Sequence, residues 1–199
     1  NKIILLNYIS MKDLKNNINI LILSNFILNI FCSIVLKLLI NLEPWKLFIH
    51  YYIVGLVLVN IHYLGHSKFG GFWRVQHIQN HHIKCYPYKK FLRQGRYINN
   101  LPFYKDGNIW MFSTPAIIGC YILSYNNIEF TGLLIYSLLI LLREDYLHQI
   151  IHTTPHNLEG NYIFETLRHL HKNHHKGSMN CNYGFGDPFH DYILGTLKY

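Results

Sequence analysis

Histidine is unevenly distributed in this 199-residue chain, because thirteen of the fourteen histidines fall in two blocks, residues 62–82 and 148–190. Within the blocks they recur at spacings of three and four residues. On an α-helix, residues at these spacings lie about 60° and 40° apart around the axis, so their imidazoles can point at one place. Imidazole nitrogen is a common protein ligand for zinc, copper and iron. The spacing therefore predicts metal binding by helices.

The number of histidines indicates more than one metal ion. A tetrahedral zinc site needs only three or four protein ligands. No Cys-x-x-Cys pair accompanies the clusters and nearby carboxylates are few, so we expect an almost all-nitrogen centre for two ions, unlike the carboxylate-rich sites of four-helix bundles. The ten candidate ligands are His62, His66, His77, His81, His82, His148, His152, His171, His174 and His175.

The second cluster has an irregular spacing. On a regular α-helix His77 and His81 share a face, whereas His82 lies about 140° away from His77. Either the helix ends or bulges there, or one of the three histidines is not a ligand. His50 stands alone in an apolar segment. We expect it to be a buried core or interfacial residue and not a ligand.

Four uncharged segments, residues 18–36, 47–65, 109–125 and 130–142, predict membrane spans, since about 20 apolar residues cross a bilayer as a helix. In that arrangement only Lys37 and Lys46 of the 18 basic residues lie on the side opposite the histidines. The positive-inside rule then places both termini and the histidines in the cytosol. The predicted fold is an all-α, multi-pass integral membrane protein, with about four transmembrane helices in two hairpins and a cytosolic, helical, histidine-rich cap for two metals.

Length and charge limit the remaining organisation. With about half of the chain in spans, there is room for an N-terminal cytosolic segment, residues 1–17, and one membrane domain, residues 18–199. The net charge of +8 predicts contact with anionic lipid headgroups and not with nucleic acid, because the basic residues follow the membrane topology. The four cysteines are far apart in sequence, so no disulfide framework is predicted.

Two segments have motifs typical of a known family. Residues 170–175 read Leu-His-Lys-Asn-His-His, and residues 182–196 read Asn-Tyr-Gly-Phe-Gly-Asp-Pro-Phe-His-Asp-Tyr-Ile-Leu-Gly-Thr. Residues 144–152 read Glu-Asp-Tyr-Leu-His-Gln-Ile-Ile-His. The chain thereby resembles the fatty acid hydroxylase and sterol desaturase superfamily, in which a His-x-x-His-His helix precedes Asn-[Phe/Tyr]-Gly, an aromatic residue with Asp, and Phe-Gly-Thr. Here His190 takes the aromatic position and Leu194 the Phe position.

The resemblance extends from about residue 47 to the C-terminus and departs from the family at the second cluster, which is normally His-x-x-His-His. It implies a membrane-bound oxidoreductase in which the histidines hold two iron ions. Such an enzyme uses O2 and external electrons to hydroxylate or desaturate an apolar lipid from the bilayer, such as a fatty acyl chain or a sterol. Zinc is expected as a substitute ion, since imidazole binds both metals. For a eukaryotic source the membrane would be of the endoplasmic reticulum type.

The electron donor must be another protein, because the chain has no Gly-x-Gly-x-x-Gly fingerprint and no room for a haem domain. A membrane b-type cytochrome with its reductase is the implied donor, and the basic segment from Lys84 to Arg96 is a candidate docking site. Nearby side chains are candidate partners for the outer imidazole nitrogens of the ligands, although capping or solvation explains the carboxylates equally well. They are Glu144, Asp145, His156, His169, Asp187, His190 and Asp191.

Two other interpretations remain open. The first is a non-enzymatic, histidine-rich membrane protein that binds or transports metal, in which ligands would be expected along a path within the spans. The second is a structural membrane protein with a degenerate site, which only the irregular second cluster favours.

Overall fold

The computed structural model describes residues 10–94, 109–176, 180–184 and 186–199, and in these ranges the chain is mostly helical, as predicted. Two short strands, Arg93–Gln94 (β1) and Thr153–Thr154 (β2), pair in parallel. The helices are α1 (Met11–Ile40), α2 (Pro44–His66), α3 (Phe72–Arg74), a π-helix (Val75–Cys85) that continues α3, a 3₁₀ turn (Tyr88–Lys90), α4 (Ile109–Leu123), α5 (Asn127–Ile151), α6 (Tyr162–Lys176) and α7 (Phe189–Leu194).

Two helices are long and apolar enough to cross a membrane, namely α1 with 30 residues and α2 with 23. Their lengths of about 45 and 35 Å exceed the hydrocarbon thickness of a bilayer. Ser10 is the N-cap residue of α1, and its hydroxyl accepts a hydrogen bond from the Asp13 N–H. The helix therefore starts within the segment predicted to precede the first span, residues 1–17, of which residues 1–9 lie outside the described ranges.

The third and fourth predicted spans form a helical hairpin. Asn126 is the N-cap residue of α5, because its side chain accepts hydrogen bonds from the N–H groups of Ile128 and Glu129, as N-cap side chains usually do. α4 has 15 residues and contains Pro115, so it extends only about 22 Å. α5 has 25 residues, but charged side chains occur near both of its ends. Membrane association is therefore supported by α1 and α2, and the four-span arrangement remains a proposal.

A ladder of polar side chains joins α1 to α5. Asn25, Asn29 and Ser33 are four residues apart and buried on one face of α1. Arg143 donates from Nη1 to the Asn25 side chain at 2.8 Å, and the Tyr136 hydroxyl donates to the Asn29 side chain. Hydrogen bonds of this kind fix how apolar helices pack in a membrane. The contact holds α1 against the helix that supplies part of the histidine site.

A buried ion pair lies at the end of the bundle remote from the histidines. The Lys46 Nζ atom is 2.6 Å from the Glu129 carboxylate and 3.8 Å from the centre of the Tyr125 ring. Only 1% of Lys46 is exposed. The sequence predicts this lysine as a charge on the far side of the membrane, and the structure shows it paired inside the bundle. It fastens the start of α2 to the start of α5.

Candidate metal centre

All ten predicted ligands come together at one end of the helix bundle. Nine are buried and His66 is half-buried. α2, α5 and α6 each direct histidines of one face to this end, and the π-helix lies across it. The rings form three overlapping groups in which the candidate ligand atoms lie within 4.8 Å of one another: His62, His66, His77, His82 and His174; His81, His148, His152 and His171; and His81, His82 and His175.

Ring nitrogens are closely spaced in the first group. The His77 Nε2 atom is 2.7 Å from that of His62 and 2.9 Å from that of His82. The His174 Nε2 atom is 3.1 Å from those of His62 and His66 and 3.2 Å from that of His82. Nitrogens that share one ion at about 2.1 Å lie about 3.0 Å apart at octahedral angles and about 3.4 Å apart at tetrahedral angles. The spacing therefore suits a common metal ion.

The second group has the same spacing. The Nε2 atoms of His81 and His148 are 3.2 Å apart, and those of His152 and His171 are 2.9 Å apart. His175 lies beside both groups, since its Nε2 atom is 3.2 Å from that of His171 and its ring stacks on that of His82, with centroids 4.0 Å apart. The two larger groups are thus neighbours within one buried layer of imidazoles.

The π-helix accounts for the irregular spacing of the second cluster. In a π-helix each N–H bonds to the carbonyl five residues earlier, and the N–H of Tyr86 closes the last such turn on the carbonyl of His81 at 2.8 Å. His77 and His82, five residues apart, therefore reach the first group together, while His81 reaches the second. Of the alternatives that the sequence left open, a bulged helix is the one observed, and all three histidines belong to candidate metal groups.

Backbone carbonyls hold the outer nitrogens of four rings. The Nδ1 atoms of His62 and His174 donate to the carbonyls of Tyr183 and Cys181 at 2.6 and 2.7 Å. Those of His152 and His175 donate to the carbonyls of Phe91 and Tyr86, each at 3.0 Å, and this set of contacts was not predicted. A neutral imidazole that donates from Nδ1 keeps a lone pair on Nε2, and such partners orient the ligands of a metal.

These Nδ1 hydrogen bonds are the structural reason to place a cation beside the Nε2 atoms. The Nε2 atoms of His62 and His174 both carry lone pairs, and they face each other at 3.1 Å. Two lone pairs cannot hydrogen-bond to each other, and their dipoles repel. A metal ion between them removes the repulsion, so the residues present fit a nitrogen-ligated transition metal.

Burial keeps the clustered histidines neutral. Loss of solvation, followed by the neighbouring imidazoles, lowers the pKa values of His77, His81 and His171 well below the usual range. Burial lowers the pKa of His174 to about 4 and that of His175 to about 2. A metal ligand must be unprotonated. At neutral pH these rings are therefore available to an ion without first losing a proton.

The carboxylates predicted around the ligands have other contacts. Asp191 accepts hydrogen bonds from the N–H groups of Tyr183 and Gly184 at 2.8 and 2.6 Å, so it shapes the loop whose carbonyl holds His62. Glu144 pairs with Arg143 and accepts from the Gly186 N–H at 2.5 Å.

Asp145 accepts from the Gln149 side chain at 2.9 Å. Asp187 is buried, and burial raises the pKa of its carboxyl group to about 6. Its Oδ1 atom accepts from the Phe189 N–H at 3.0 Å, and its Oδ2 atom makes no hydrogen bond of good geometry to a described residue, although the nearby Asn25 side chain offsets part of the effect of burial on the pKa.

The three other predicted histidines lie outside the metal groups. His156 stacks on Phe164 with ring centroids 5.6 Å apart, and His169 is 3.1 Å from the Asn173 side chain. His190 packs against Gly55 in the middle of α2, where an added Cβ atom would lie 2.0 Å from the ring. A residue larger than glycine at position 55 would displace this imidazole.

An apolar cavity begins at the metal groups and runs into the bundle. Its non-atom space amounts to about 900 Å³, with the open mouth included. His148, Asp145 and Tyr183 line it at the histidine end, and His50 and Ser137 line it at the other. Between them the lining combines the apolar side chains Val54, Leu58, Val59, Ala116, Ile140 and Leu141 with the polar or charged residues Tyr51, Arg143, Glu144, Asp187 and His190.

Comparisons of this chain with family models, curated proteins and solved structures give no match. The resemblance to fatty acid hydroxylases and sterol desaturases therefore rests on the motifs quoted above.

Proposed function

We propose that this protein is a membrane-bound di-iron oxygenase that hydroxylates or desaturates an apolar lipid. The observation that supports this most is the direct contact between a buried layer of neutral imidazoles and an apolar cavity, because His148 belongs to both. A purely structural metal site has no need of a cavity that ends on its ligands.

Two ions would be held by the two larger groups. The first would bind among His62, His66, His77, His82 and His174, and the second among His81, His148, His152 and His171, with His175 beside both. When bound, iron supplies the activation of O2 and the cleavage of an unactivated C–H bond, which acid–base side chains cannot achieve. Zinc would bind the same nitrogens but would not support oxidation.

The chain's own residues would bind and orient the lipid. Val54, Leu58 and Leu141 in the cavity wall offer apolar surface and exclude water. Asp191 and the loop at Tyr183 would hold His62 in place through the hydrogen bonds described above. With four spans, every histidine group would lie at the cytosolic membrane face, where a lipid enters from the bilayer.

Electrons would come from a membrane b-type cytochrome and its reductase. In the candidate docking segment from Lys84 to Arg96, the side chains of Lys84, Lys89 and Lys90 are exposed, and Gly95 and Arg96 lie outside the described residues. Exposed lysines can bind the acidic surface of an electron carrier.

The test is to express the protein with a compatible reductase system in a lipid-producing host and to compare lipids by mass spectrometry. We expect added oxygen or lost hydrogen pairs in a fatty acyl or sterol species, and two metal ions per purified chain. His174→Ala should abolish the products and reduce metal content. His169→Ala, on the same helix but outside the groups, should change neither.

Two outcomes would contradict the proposal. Unchanged lipids in cells whose protein contains a full complement of iron would exclude the oxygenase and favour a non-enzymatic metal-binding or metal-transport protein. A metal content below one ion per chain in folded protein, purified without chelators, would favour a degenerate site.

A further inference from the structure

The cavity has a second polar end, deep in the bundle. His50 lies twelve residues before His62 on α2, and Ser137 lies eleven residues before His148 on α5. At about 1.5 Å per residue, the two helices independently give a separation of about 17 Å between this end and the metal groups. Both His50 and Ser137 line the cavity. The mostly apolar cavity therefore connects the His50 end to the metal groups, with His190 lining it beside Gly55.

Three side chains make up the deep end. The His50 Nε2 atom is 3.0 Å from the Ser137 hydroxyl and 3.1 Å from the Cys120 sulfur, and the sulfur and hydroxyl are 3.3 Å apart. The Ser137 hydroxyl donates to the carbonyl of Leu133 at 2.8 Å. The exposed fractions of His50, Cys120 and Ser137 are 1%, 0% and 4%, so water does not compete for these groups.

One polar atom of this cluster has no hydrogen bond of good geometry. The Nδ1 atom of His50 is buried and makes no hydrogen bond of good geometry to a described residue, although the backbone groups of His50 and Ala116 lie close enough to act on the ring. If Nε2 carries the ring hydrogen and donates to Ser137, Nδ1 is a lone-pair acceptor; if Nε2 accepts from Cys120, Nδ1 is a donor. In either case one ring nitrogen lacks a hydrogen bond of good geometry inside the protein, which a ligand could supply.

We propose that His50, Ser137 and Cys120 form a binding site for the hydroxyl group of a lipid, which orients the lipid with its opposite end at the metal groups. The orientation toward the chemistry rests on the proposed function. A hydroxyl both donates and accepts, so it can satisfy His50 in either tautomer. A charged headgroup is excluded by the cost of burying an ion at this depth.

The site determines where a substrate would be oxidised. A lipid with its hydroxyl at His50 extends between Val54, Ala116 and Leu141 toward His148. Oxidation would then occur near the end of the molecule away from the hydroxyl. Two lipid classes have this chemistry, a long-chain alcohol and a sterol, and paired probes distinguish them.

Equilibrium binding tests the site without turnover. Metal-loaded protein in lipid nanodiscs, without an electron donor, is titrated with tritiated hexadecanol and hexadecane, and separately with tritiated cholesterol and cholestane. In one pair the alcohol should bind more tightly than its hydrocarbon. His50→Phe, which retains a ring, and Ser137→Ala should each reduce this preference about two- to tenfold, the value of one hydrogen bond, while hydrocarbon affinity is kept.

Ser33→Ala is the matched control. Ser33 is 3% exposed and donates to the carbonyl four residues earlier at 2.8 Å, as Ser137 does, but it lies on α1 and not in the cavity. This variant should retain the full preference. Equal affinities within both probe pairs, or a preference that survives His50→Phe, would overturn the proposal. If the preference is present but no lipid is oxidised in cells, the binding site stands and the oxygenase does not.

Discussion

The Nε2 atoms of His77 and His82 lie 2.9 Å apart, because about one turn of π-helix separates the two residues and brings them to the same side. On an α-helix the same residues would point about 140° apart. π-Helical turns are rare and often occur at functional sites. The backbone of the segment Val75–Cys85 thus places His77 and His82 in one group and His81 in the other. A single π-helix therefore contributes to both candidate metal positions.

The π-helix predicts that His82 is as important for metal binding as the regular motifs. His82→Ala should lower the metal content of purified protein to about the level of His174→Ala, since both remove an imidazole from the first group. Asn80→Ala is the control, because Asn80 bonds to Gln76 within the same helix. Metal analysis by mass spectrometry gives the comparison. Full metal content in His82→Ala would remove this residue from the ligands.

The sequence predicted the candidate ligands because histidine spacing on regular helices defines their faces. It could not predict the π-helix, since an extra residue is equally compatible with a helix end or an unused histidine. The sequence could not predict the carbonyls of Tyr183 and Cys181, which accept hydrogen bonds from His62 and His174, either. Every residue has a carbonyl, and only the fold determines which one points at a ring.

The proposed four-span topology predicts opposite accessibility for two exposed positions. Lys89 lies in the 3₁₀ turn beside the histidines, and Asn127 begins α5 at the other end of the bundle. In sealed vesicles with the cytosolic face outward, a membrane-impermeant maleimide should label Lys89→Cys above the wild-type level. Asn127→Cys should react only after permeabilisation. Labelling of both from the same side would exclude the four-span arrangement.

Two polar features inside the bundle have only weak signals in the sequence. Asn25, Asn29 and Ser33 recur every four residues within the apolar helix α1, a pattern that indicates a polar contact face, whereas the absence of charge in this segment predicts only a span. His50 was predicted to be a buried residue, which the structure confirms. Its neighbour Ser137 belongs to a helix 87 positions away in sequence, so their meeting in one cavity depends on tertiary packing.

The Lys46–Glu129 pair predicts a large cost for removing one partner. Lys46→Met leaves the Glu129 carboxylate buried without a counter-charge and should lower the free energy of unfolding by about 3 kcal/mol. Lys37→Met is the control, because the Lys37–Glu43 pair has a similar distance, 2.7 Å, but is exposed. That variant should change stability by less than about 1 kcal/mol. Thermal unfolding in detergent distinguishes the two, and similar losses would contradict the burial argument.

Asp187 predicts a substitution that stabilises the protein more at higher pH. Burial raises the pKa of its carboxyl group from 3.8 to about 6, so the folded state favours the protonated form. Its contribution to stability is fully present below about pH 4 and is lost as the pH rises through 6. Asp187→Asn, which does not titrate, should therefore be more stable than wild type at pH 8, by about 1 to 3 kcal/mol, and by only about half as much at pH 5, because part of the contribution is already lost between pH 4 and pH 5.

Asp191→Asn provides the contrast. The Asp191 carboxylate accepts hydrogen bonds from the Tyr183 and Gly184 N–H groups and from the Thr196 hydroxyl, so an amide nitrogen would face a donor and the same change should destabilise the protein at pH 8. Unfolding midpoints of both variants and wild type at pH 5 and pH 8 provide the measurement. If Asp187→Asn is less stable than wild type at pH 8, the Asp187 carboxylate is charged and has a partner in the folded protein, and the argument from burial is wrong.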